Sequence, residues 1–75
     1  MPGLPVLSGR EIVNALRRLG FEVHHQRGSH VVMRHVEDPA RRAVVPMHRE
    51  VRKGTLNAIL KGAAVTREEF LRAVR

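Results

Sequence analysis

Gly28-Ser29-His30 sets an imidazole directly after a glycine and a small hydroxyl, where a chain reversing direction would present it to solvent. Imidazole is the side chain whose charge changes nearest neutral pH, so a histidine held at such a point can take and return protons. Four more histidines stand at 24, 25, 35 and 48. His48 follows Pro46-Met47 in a polar stretch and is a second candidate for proton donation or phosphate contact. The chain has no cysteine, which removes thiolate catalysis, cysteine-based metal sites and disulfides and suits a reducing cytoplasm. A zinc site would need three or four converging ligands, yet His24 and His25, adjacent in an expected strand, should point to opposite faces. No metal, small-molecule cofactor or membrane association is expected. Asp38 is the one aspartate and precedes Pro39 in a turn, so neither a Ser-His-Asp triad nor a carboxylate pair is in view.

The surroundings of His30 are cationic. The 14 Lys and Arg outnumber the 7 Asp and Glu, giving a formal net charge of +7, and all but two of the basic residues are Arg. Most of the excess lies after residue 40. The planar arginine fork binds phosphate in bidentate fashion, so the charge points to a polyanionic partner. Arg27, Arg34, Arg41, Arg42, Arg49, Arg52 and Lys53 are the candidates for contact with a nucleic-acid backbone. Trp and Tyr are absent and the two Phe have packing roles, which leaves charge and shape, rather than base stacking, as the grip. A lone acid/base group among cations suits attack by a ribose 2′-hydroxyl on its own phosphate, because RNA carries its nucleophile. The same features also suit a non-catalytic RNA-binding module, or a protein-interaction domain docked through an open sheet face.

The elements that must position these residues follow from local signals. Seventy-five residues make one small domain, 1–75, with residues 1–6 as a tail. Ser8-Gly9-Arg10-Glu11 is a capping box, Leu7 and Ile12 form a hydrophobic staple, and Ile12, Leu16 and Leu19 make a helical stripe stopped by Gly20. Strands are expected over 21–27 and from His30 to Val36, with Gly28-Ser29 between them and a third over 41–45 closed by Pro46. Leu56, Ile59, Leu60 and Ala63 mark a second helix starting near Lys53, and Thr66-Arg67-Glu68-Glu69 caps a short third one. The order α-β-β-β-α-α implies an α+β arrangement, a three-stranded antiparallel sheet with helices on one face.

Six motifs in register across 7–71 resemble one family: Ser8-Gly9-x-Glu11, Leu19-Gly20-Phe21, Arg27-Gly28-Ser29-His30, Val45-Pro46-Met47-His48, Gly54-Thr55-Leu56-x-x-Ile59-Leu60 and Glu69-Phe70-Leu71. In these the chain resembles the HicA toxins, mRNA interferases of type II toxin–antitoxin systems. The resemblance implies a double-stranded-RNA-binding-domain-like fold and an endoribonuclease acting on mRNA. That cleavage needs no metal is expected on other grounds, because the acidic residues are scattered over separate elements and not clustered to hold ions. It implies that His30 is the catalytic histidine, that Gly28 and Ser29 present it, and that Pro46-Met47-His48 is the supporting segment after the third strand. It also implies a HicB-like antitoxin protein as partner. Some members carry a second histidine directly after Gly-Ser-His, where this chain has Val31.

Overall fold

A computed structural model describes residues 6–75; the first five residues of the expected tail lie outside the described residues. Helix α1 (Gly9–Arg18) starts at the capping box, where the Ser8 hydroxyl accepts from the Glu11 N–H at 3.1 Å and the Glu11 carboxylate accepts from the Ser8 N–H at 2.9 Å. Both staple residues, Leu7 and Ile12, are buried. The chain leaves α1 through Gly20, at φ 94°, whose N–H donates to the Arg17 carbonyl at 3.1 Å.

Strands β1 (Phe21–Arg27), β2 (His30–His35) and β3 (Arg42–Pro46) form an antiparallel sheet in the order β1-β2-β3. Helices α2 (Lys53–Ala63) and α3 (Arg67–Val74) complete the α-β-β-β-α-α order expected from sequence. Phe21, Val31, Met33, Ala43 and Val45 turn one sheet face toward Ile12 and Leu16 of α1, Leu56, Ile59 and Leu60 of α2, and Phe70 of α3. The core is well sealed, with Phe70, Ile12, Leu16, Met33 and Leu56 almost wholly removed from water. Truncating a residue such as Phe70 to alanine would cost about 3–5 kcal/mol.

Besides β2 ending at His35, one residue short of the expected Val36, three details differ from the sequence reading. The third strand starts one residue later, at Arg42, and includes Pro46 as its last residue. Proline is tolerated there because β3 is an edge strand with no partner on its outer side among the described residues. Arg41, expected within the strand, instead lies before it and closes the C-terminus of α2. Its Nε donates to Ala63 O at 2.9 Å and its Nη2 to Ala64 O at 3.3 Å, with Cζ 5.4 Å above the Phe21 ring. These carbonyls carry the negative end of the helix dipole, and Ala64 sits there at φ 55°, a conformation that costs a non-glycine residue about 1–2 kcal/mol. The third difference is a β-bulge. The register passes from Val23↔Met33 to His25↔Val32, leaving His24 without an opposite residue. A bulge breaks strict alternation, so His24 and His25 share the solvent face, their Nδ1 atoms 2.7 Å apart.

Helix α3 carries the second capping box, in which Glu69 accepts from the Thr66 N–H at 3.0 Å and from its hydroxyl at 3.1 Å. The backbone bond first, and the hydroxyl bond after it, hold the Glu69 carboxyl below its ordinary value. A depressed carboxylate stabilises the fold above its unfolded pKa and ceases to do so as pH falls through the lower folded value. The melting temperature should therefore drop slightly as pH is lowered through and below the ordinary carboxylate range. Glu69→Gln should remove that part of the acid limb, which thermal melts followed by circular dichroism at matched ionic strength would measure.

Candidate active site

The β1–β2 turn consists of Gly28 and Ser29 alone, since Arg27 pairs with His30. Gly28 lies at φ 59° while Ser29 does not have positive φ, the pattern of a II′ turn, whose twist matches that of the strands it joins. His30 is thereby fixed as the first residue of β2, flanked by Arg27 on β1 and Pro46 on β3, and it is exposed. Its place combines a backbone held by two neighbouring strands with a side chain open to a ligand.

The segment after β3 brings a second imidazole to it. Met47 N–H donates to Ser29 O at 2.6 Å, Gly9 N–H to His48 O at 2.9 Å, and Val51 N–H to Leu7 O at 2.7 Å. Three backbone bonds thus clamp this connector to the β1–β2 turn and to the start of α1. The His48 ring comes to rest 6.3 Å from that of His30, centroid to centroid, with an interplanar angle of 71°. Gly9 is required by the clamp, because a Cβ there would overlap the Pro46 carbonyl oxygen and sit 2.8 Å from Met47 Cα.

His30 and His48 line a cleft of about 320 Å³ together with Pro46, Glu50, Arg52 and Thr55, a size at the low end for small-ligand sites. Arg52 is the N-cap of α2 and makes no side-chain capping bond, and the first turn of that helix holds no acidic residue. The free N–H groups and dipole of the helix start therefore lie at the cleft margin with no acidic residue of their own turn to offset them, an arrangement that favours an anion, although the Glu50 carboxylate lines the same cleft. A Cβ on Gly54 would meet nothing within 4 Å, so none of the described residues covers the first turn.

Among the sequence candidates, Gly28, Ser29, His30, His48 and Arg52 converge here, and Arg27 stands beside His30 on the next strand. Lys53 opens α2 next to Arg52 and is exposed. Arg34 and Arg42 face each other across β2 and β3 at the other end of the sheet, and Arg41 is committed to the end of α2. Glu50 and Thr55 were not among the sequence's site candidates, although Thr55 falls within one of the six family motifs and Glu50 lies only two residues beyond His48. His35 serves packing, edge-on to Phe21 at 5.1 Å with its Nδ1 accepting from the Glu37 N–H. Among the described residues no group of three or more His, Asp or Glu is placed to hold a metal ion.

The arrangement supplies two imidazoles, one carboxylate and several cations around a space for a phosphate group. A family model described as HicA toxin of bacterial toxin-antitoxin matches residues 9–65 of the chain. The search of curated proteins found no match. Because the clamp depends on the bare Cα of residue 9, Gly9→Ala should lower stability by about 1–3 kcal/mol and displace His48. Denaturant melts would measure the first effect, and NMR shifts of the His48 ring relative to His30 the second.

Proposed function

The chain belongs to the HicA toxins of bacterial toxin–antitoxin systems, and on that footing we propose that it cleaves mRNA with His30 as general base. The observation that carries this reading is the pair of exposed imidazoles, His30 and His48, facing one cleft beside the uncapped start of α2. His30 takes the proton of a ribose 2′-hydroxyl, whose oxygen attacks the adjacent phosphorus. As the bond from phosphorus to the 5′-oxygen breaks, protonated His48 gives a proton to that leaving oxygen. The products are a 2′,3′-cyclic phosphate and a 5′-hydroxyl, and proton gain and loss balance over the step. Arg27, Arg52 and the α2 N–H groups offset the charge that builds on the non-bridging oxygens. The step requires no metal.

Family membership also implies an antitoxin. A HicB-like protein would silence this site by covering the cleft, with acidic side chains set against Arg27, Arg52 and Lys53.

His30→Ala should reduce cleavage of a labelled RNA by at least about 100-fold, with melting temperature unchanged because the side chain lies outside the core. His48→Ala should also slow cleavage, since it removes the proton donor for the leaving oxygen. A folded His30→Ala variant that cleaves at the native rate would overturn the catalytic assignment. Absence of cleavage by the native chain, with RNA still bound, would favour a non-catalytic RNA-binding module.

A further inference from the structure

The solvent face of the sheet carries a second cluster that the cleavage reading does not use. Its rows run Arg27, His30 and Pro46, then His25, Val32 and Val44, then Glu22, Arg34 and Arg42 across the three strands. The last row lies four residues along β2 from His30, about 13 Å at the usual strand rise. The bulge sets His24 beside His25 on this face, with ring centroids 5.0 Å apart and the two Nδ1 atoms at 2.7 Å. Such a contact needs a proton on one nitrogen and a lone pair on the other. The pair can hold the bond while neutral or while carrying one positive charge, whereas a second added proton would set N–H against N–H.

The surroundings are poor in negative charge. Arg34 foremost, then burial, then His25 and Arg42, push the His24 pKa down, and Glu22 alone opposes them. These are the charged groups facing His24: Glu22 and His25 from β1, Arg34 from β2 and Arg42 from β3. The Arg34 Nε is itself buried and finds no acceptor among the described residues. Four cationic or protonatable groups with one carboxylate make a site that an anion completes. A metal cation would meet the same arginines, and no third His, Asp or Glu joins the pair among the described residues.

We propose that His24, His25, Arg34 and Arg42 form an anion subsite for an RNA phosphate, separate from the His30 cleft, and that the imidazole pair takes up a proton as the phosphate binds. The RNA part rests on the reading under Proposed function; the anion chemistry rests on the cluster. A bound phosphate offsets the field of Arg34 and Arg42, raises the proton affinity of the pair, and by linkage binds more tightly as pH falls. The subsite would hold the strand a few nucleotides from the scissile bond.

The test uses the full chain with two probes, inorganic phosphate and a 2′-O-methyl RNA that lacks the nucleophile and stays intact. Phosphate should shift the NMR signals of His24 and His25 more strongly at about pH 6 than at about pH 8. The 2′-O-methyl RNA should bind about fivefold or more tightly at the lower pH, a dependence clearly weakened in the His24→Gln/His25→Gln double variant. If phosphate shifts only His30 and His48, or if the double variant keeps the native pH dependence, the subsite is refuted. Perturbation of the cluster by an acidic antitoxin protein, but by neither phosphate nor RNA, would likewise refute it and assign the face to a protein contact. Proton-linked phosphate binding with no RNA binding at any site would uphold the anion site and overturn the RNA reading instead.

Discussion

The close approach of Gly9 to the Pro46 carbonyl is the contact on which the geometry of the candidate site depends. It lets the first turn of α1 lie against the exit of β3, so that the Gly9 N–H reaches His48 O while Val51 N–H reaches Leu7 O. The Ser8 capping box fixes where α1 begins, and the core packing of Ile12 and Leu16 fixes where it lies against the sheet. His48 is thus held beside His30 by elements whose own stability is set elsewhere. A loop of the same sequence without those three backbone bonds would leave the second imidazole to sample many positions, and ordering each such residue costs about 1–2 kcal/mol.

Charge distribution separates the roles of the arginines. Arg41 is half-buried and completes the end of α2, where carbonyl oxygens and the helix dipole call for a cation. Arg27 and Arg52 flank the His30 cleft, and Arg34 and Arg42 lie at the opposite end of the solvent face. The net charge of +7 is therefore not a uniform coat: Arg41 and Arg18, whose Nη1 donates to Ala73 O at 2.7 Å, tie elements together, and two groups of others meet histidines. Cations so placed repel one another in the free protein, and a polyanion or an acidic partner relieves that repulsion.

Much of this was legible in the sequence because the signals were local. Both capping boxes, the stop at Gly20, the two-residue turn and the helical stripe of Leu56, Ile59, Leu60 and Ala63 each depend on residues a few positions apart, and the structure keeps all of them. His30 as the first residue of β2 follows from the same logic. What could not be read were features fixed by contacts between distant segments. The capture of Arg41 by α2 joins residues more than twenty positions apart. The bulge at His24 comes from the register between strands, and it reverses the expectation that the adjacent histidines diverge. Glu50 and Thr55 enter the cleft only because the connector folds back onto the start of α1. Gly9 is conspicuous in sequence only as part of a capping motif, and its packing role appears once Pro46 is seen against it.

The central claim is that the ribose supplies the nucleophile and that His30 activates it, and the chemical ends of the fragments report on it directly. With purified toxin, a defined RNA and EDTA present, end-group analysis should find 2′,3′-cyclic phosphate, or the 3′-phosphate that forms from it, on one fragment and a 5′-hydroxyl on the other. Fragments bearing 5′-phosphate and 3′-hydroxyl ends, or cleavage that stops when divalent cations are chelated, would contradict the account, because water and not the 2′-oxygen would then have attacked the phosphorus.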